Sequence, residues 1–219
     1  MIPSALVSRF VLLKAHKRLA TTTKQDNMKT TLKLCIGLAL LTLLAGCVVT
    51  SVYPFYTAKD VVFDSALVGA WADAGSTNAA SEHWRFEKSE GQAYKLIVQD
   101  KEKRTEFDTH LFKLKSGLFL DLYPRERPDN ALPPHYLLKV TRLEPAFEFQ
   151  VLDYDWFKKL IEKDPKAVRH ILVPDKLGDD GGGLLVLTAD TAELQKFILK
   201  HEQTEGAYGQ TQVMNRWKN

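Results

Sequence analysis

The chain has 219 residues, 30 Lys and Arg against 27 Asp and Glu, and two cysteines. Residues 1–46 hold seven of the bases and one acid, so from residue 47 onward the balance is 23 to 26, a net of about −3. That excludes the clustered positive charge of a nucleic-acid footprint. The 173 residues from 47 to 219 suffice for one domain with a real core. With Cys47 the only thiol among them, a disulfide framework, a thiol nucleophile and a cysteine-based zinc site are excluded there.

Residues 1–27 carry an apolar patch, Phe10-Val11-Leu12-Leu13, and several bases. They are expected to be an upstream extension, with translation starting at Met28. A basic head (Lys29, Lys33) and an apolar run from Leu34 to Leu44 follow. A positive head, an apolar centre of roughly 7–15 residues and small residues before a cut site make a secretory signal, here residues 28–46. The run is shorter than the ~20 apolar residues of a membrane-spanning helix. It ends in Leu44-Ala45-Gly46-Cys47, which resembles the lipobox of bacterial lipoproteins. The resemblance implies cleavage before Cys47, a diacylated Cys47 sulfur and an acylated new amino end. Cys47 would then anchor the chain in the cell envelope. Val48 stands where inner-membrane retention in enterobacteria uses aspartate, which favours an outer-membrane anchor facing the periplasm.

Residues 47–59 read as a lipidated tether, with Pro54 against a helix. A first strand lies in "DVVFDSALVGAWAD", followed by a polar loop, residues 74–81. Period-two alternation predicts strands at residues 83–87, 93–98, 106–114 and 118–123, joined by short turns and therefore antiparallel. After the proline-rich loop 124–134 come strands at 136–142 and 147–152. A short helix, "DWFKKLIEKD", is capped by Asp153 or Asp155. Strands at 167–173 and 184–187 flank the glycine-rich "PDKLGDDGGG", read as a hairpin loop. Asp190 and Glu193 then have capping-box spacing for a helix to His201. Residues 202–219 read as a polar tail.

The domain, residues 60–201, is therefore expected to be mainly β with two short helices. Its antiparallel meander should curl strongly or close, because closure removes exposed edges. Gly69-Ala70-Trp71 resembles the G-x-W signature of lipocalins. This implies a lipocalin-like β-barrel in which Trp71 closes the floor beneath a ligand cavity and residues 191–201 pack on the wall. The chain is also similar to a group of uncharacterised bacterial envelope lipoproteins sharing "YPFYTAKDVVFDSALVGAW", "HLFKLKSGLFLDLYP" and "LTADTAELQKFILKH". That likeness implies no activity.

No catalytic signature emerges, and no metal site or cofactor is expected. No histidine pair has helical zinc spacing, no serine sits in G-x-S-x-G, and "GDDGGG" lacks the P-loop lysine and the EF-hand spacing. His83 and His110 are expected at a surface or edge. Alternation puts Phe119, Asp121 and Tyr123 on one face of their strand. If that face is inward, Asp121 needs a partner such as Arg or Tyr. The expectation is a non-enzymatic, membrane-anchored lipoprotein binding a small apolar ligand, with Trp71, Trp84, Phe86, Tyr94, Phe119 and Asp121 lining the cavity. The alternative is a structural or protein-interaction module with a filled barrel.

Overall fold

The computed structural model describes residues 49–75, 82–100, 103–126, 134–174 and 183–217, which lie in one compact unit, Cys47–Asn219. Cys47, the signal 28–46, the extension 1–27, most of the proline-rich loop and residues 178–182 of "GDDGGG" fall outside the described residues.

Eight strands close a barrel. Six hairpin pairings carry the chain through β2 (Gly69–Asp73), β3 (His83–Lys88), β4 (Ala93–Gln99), β5 (Arg104–Leu114), β6 (Gly117–Pro124), β7 (His135–Arg142) and β8 (Phe147–Val151). The eighth, β11 (Gln212–Arg216), comes from the far end of the chain. It pairs with β8 through Met214↔Phe147 and with β2 through Met214↔Asp73. Every neighbour around the ring is antiparallel. Alternation turns Trp71, Trp84, Phe86, Leu96, Leu111, Leu120, Phe149 and Met214 inward, where they form one buried core. An eight-stranded barrel is just wide enough for side chains to fill.

A second core lies on the outside of the same barrel. The opposite faces of β5, β6 and β7 present Phe112, Phe119 and Leu137, and these are buried as deeply as the interior. Two helices cover them. Helix α1 (Tyr154–Lys163) starts at Asp153, whose carboxylate accepts from Trp156 N at 2.8 Å, so Asp153 and not Asp155 is the cap. Helix α2 (Thr191–His201) starts at Asp190, which accepts from Glu193 N at 3.0 Å. They bury Phe157, Leu194, Phe197 and Ile198 against the wall, as apolar stripes at helical spacing require. The hairpin of β9 (His170–Pro174) and β10 (Gly183–Leu187) extends this layer. β10 runs parallel to β1 (Val49–Ser51), which in turn pairs antiparallel with the start of β7.

Both ends of the domain differ from the sequence expectation. The stretch read as a tether holds β1 and a chain segment clamped to the wall. Phe55 is buried in the second core, Thr191 Oγ1 donates to Pro54 O at 2.8 Å, and Gln195 Nε2 donates to Phe55 O at 3.1 Å. The stretch read as a tail holds the strand that closes the barrel. Neither strand shows in the sequence pattern, because β1 is only three residues long and the partners of both lie far away along the chain. The strand expected from residue 167 begins at His170.

Candidate functional site

The G-x-W resemblance leads to the expectation of a ligand cavity in the barrel interior. At one end the 3-10 turn Ser65–Leu67 crosses the opening, with Asp64 Oδ1 accepting from Ala66 N at 2.9 Å. Tyr94 reaches the same turn from within, donating from its hydroxyl to Asp64 O at 2.9 Å. Trp71 lies beneath the turn and donates from Nε1 to Leu67 O at 2.9 Å. Above it the Arg216 guanidinium sits 3.9 Å from the indole centroid and donates to Val68 O (2.6 Å) and Ala66 O (2.5 Å). Gly69 is favoured by its φ of +130°, and a β-carbon there would push Arg216 Nη1 aside. The G-x-W pattern is thus one half of a lock whose other half, Arg216, lies on β11.

Behind the lock the rings run in continuous contact. Tyr94 meets Phe86 at 6.4 Å, Phe86 meets Phe147 at 5.7 Å, Phe147 meets Phe149 at 5.1 Å, and Phe149 meets Trp84 at 5.3 Å. Trp71 joins the chain at Phe147, 5.8 Å away. A water-sized void would leave exposed surface on its lining. Around the Trp71 end, Trp71, Phe86, Tyr94, Leu96, Phe147 and Phe149 are at most 1% exposed, while Trp84 keeps 4% and Phe107, Leu122 and Val140 further along keep 6%, 6% and 7%. Thr109 is the polar group in this lining; its Oγ1 is buried without a hydrogen-bond partner.

Of the six residues assigned to a cavity, Trp71, Trp84, Phe86 and Tyr94 do face the interior. Phe119 and Asp121 share a face as expected, but that face is the outer one. Alternation tells which residues go together and not which way they point. Here the helices, which bury the outer wall, reverse the assignment.

On that outer wall Asp121 anchors a polar cluster. Its side chain is 1% exposed, and its partners are neither Arg nor Tyr. Oδ2 accepts from Phe55 N at 2.9 Å, and Oδ1 lies 2.8 Å from His135 Nδ1. The His135 ring packs on Tyr123 at 4.6 Å. Across the ladder from Asp121, His110 stacks on Tyr56 at 4.4 Å, half-buried. Burial, then the fields of Asp121 and Asp108, push the Tyr56 phenol up to about 12. Burial holds the His110 imidazole below its usual value despite the attraction of Asp121 and Asp108, with His135 adding to the depression. Burial also lowers His201, with Lys200 adding to it.

An Asp–His pair can orient an imidazole for general-base work. Here the pair is roofed by the chain around Phe55. The neighbouring Ser51 hydroxyl accepts from Tyr53 N at 3.2 Å and is fully buried. Satisfying a buried backbone N–H and a histidine with one carboxylate fastens residues 52–60 to the barrel. Among the described residues, no three His, Cys, Asp or Glu side chains group as metal ligands, and no helix is long and apolar enough to cross a membrane.

The depressed histidines set an acid limit. An unfolded histidine binds its proton near pH 6.5. Folded His110 resists protonation until lower pH, so stability is full above the unfolded value and falls as pH drops below it. Thermal melts are expected to shift downward from pH 7 to pH 5, and less steeply in His110→Gln. Equal slopes in both proteins would remove His110 from the account.

Open grooves lie on the described surface. One, about 450 Å³, is bordered by Gly69, Arg85, Lys88 and Trp217; another, about 260 Å³, by Lys166, Arg169, Lys196, Phe197 and Lys200.

Together these features define a mainly β protein built on a closed, eight-stranded, lipocalin-like antiparallel barrel. Its interior is filled by side chains around Trp71 and Phe147, that end is locked by Trp71 and Arg216, and one wall is covered by helices. Compared with protein-family models, curated proteins and solved structures, the chain matches none of them.

Proposed function

We propose that this chain is a lipid-anchored envelope protein whose barrel is a solid scaffold, presenting its outer surfaces to a protein partner. The observation that carries the scaffold reading is the unbroken ring contact from Tyr94 to Trp84, with an interior lining at most 1% exposed around Trp71 and Phe147. Opening a cavity there would mean separating packed aromatic rings, at roughly 20 cal/mol per Å² of cavity surface created. The anchor rests on the basic head, the apolar run and Leu44-Ala45-Gly46-Cys47.

A second reading, an apolar-ligand carrier, is favoured by the unpartnered Thr109 hydroxyl inside the barrel. Native mass spectrometry separates the two. The scaffold reading expects the protein from residue 48 onward at its bare mass, and a stoichiometric co-purified lipid would overturn it. For the anchor, Cys47→Ser is expected to abolish metabolic palmitate labelling; labelling that persists would refute acylation at Cys47.

A further inference from the structure

We infer that the β9–β10 hairpin is a second membrane contact, its apolar outer face lying against the bilayer beside the anchor. This rests on the reading of Cys47 as the acylated residue. Four large hydrophobic side chains stand out as exposed among the described residues, and three of them lie on this one ribbon: Ile171 (54%) and Leu184 (45%) on its outer face, and Leu172 (41%) on the opposite face, across from Leu185. The pairings Val186↔Ile171 and Leu185↔Leu172, with strand alternation, put Ile171, Leu184 and Val186 on one face. Leu185, on the other face, is fully buried in the second core. β9 is also the terminal strand of the sheet, so among the described residues its outer edge has no partner strand.

An apolar edge ribbon of this kind is a hazard in water unless something covers it. The register says what lies near. β1 runs parallel to β10 with Val49 opposite Leu185, so the chain leaves β1 backwards, toward Cys47, at the end where Leu184 precedes Leu185. Two residues reach at most about 7 Å, so an acylated Cys47 is tethered within that distance of Val49, the partner of Leu185. Side chains of an interfacial element sink roughly 5–10 Å into the headgroup boundary, deep enough to take both Leu184 and Ile171. The connecting sequence holds Asp175, Asp179 and Asp180 against Lys176. With Ile171, Leu184 and Val186 as its face, the contact is apolar, made with neutral headgroups, and insensitive to salt.

The test uses the acylated protein in phosphatidylethanolamine–phosphatidylcholine vesicles, with a fluorophore on a single introduced cysteine. Ile171→Cys and Leu184→Cys are compared with Glu90→Cys, an exposed site in the β3–β4 turn. Labels at 171 and 184 should be quenched several-fold more strongly by shallow nitroxide lipids than the label at 90, unchanged in high salt. Equal access of all three labels to an aqueous quencher, on protein that still floats with the vesicles, overturns the hairpin contact and leaves the anchor standing. Protein that fails to float brings down the anchor itself, and the inference with it. Shielding at 171 and 184 that grows with protein density, or survives in detergent at high concentration, would mean that two copies pair along β9; that too overturns a membrane contact.

Discussion

A chain cut after Gln210 is expected to lose its cooperative thermal transition. Those last residues bring β11, which pairs on one side with β8 through Gln212, Val213 and Met214, and on the other with β2 through Met214, Asn215 and Arg216. Two flanking bonds extend the ladder, Ala74 N to Val213 O at 3.0 Å and Trp217 N to Ala70 O at 2.8 Å. The cut removes buried Met214, worth about 1.5–3 kcal/mol by itself. It also opens two sheet edges at once and bares the aromatic cluster around Trp71 and Phe147 to water. Against the ~5–15 kcal/mol that holds a typical domain, the sum is decisive. Circular dichroism during heating reads it directly. A sharp melt within a few degrees of the full chain would show that β11 is dispensable.

Trp71→Ala is expected to cost about 3–5 kcal/mol, the range for removing a large aromatic side chain from a packed core. For a domain of this size that lowers Tm by roughly 10 °C, at ~2–4 °C per kcal/mol. Three losses coincide. The indole no longer fills the barrel end, Leu67 O loses its donor, and the Arg216 guanidinium loses the ring beneath it. Trp71→Phe keeps a ring under Arg216 but not the hydrogen bond, and should cost less than half as much. Should both variants melt with the natural protein, the lock formed by Trp71, Arg216 and Gly69 would have no energetic weight.

The meander was legible because period-two alternation is local. In β3, Trp84 and Phe86 alternate with His83, Arg85 and Glu87, and the structure pairs this strand where the sequence puts it. The helix starts were legible for the same reason, since a cap needs only a carboxylate three residues ahead of an N–H, as at Asp153 and Asp190. β6 was half legible. Leu118, Leu120 and Leu122 alternate with Phe119, Asp121 and Tyr123, and both sets are apolar enough to face a core. Asp121 looked like an inward polar contact and is instead the clamp on Phe55 and His135.

What the sequence determined by itself was the set of short antiparallel strands, the two capped helices, and which residues share a face. A propensity or a cap is decided by neighbours a few positions away. The tertiary structure alone decided which face is inside, where the barrel closes, and what holds the chain around Phe55. Those outcomes depend on partners such as Arg216 for Trp71 and Leu185 for Val49, more than a hundred residues distant. A three-residue strand such as β1 has no periodicity of its own to announce it. It forms because β7 and β10 present open edges on either side, and burying Val49, Thr50 and Ser51 between them satisfies backbone groups that would otherwise lie unpaired against the wall.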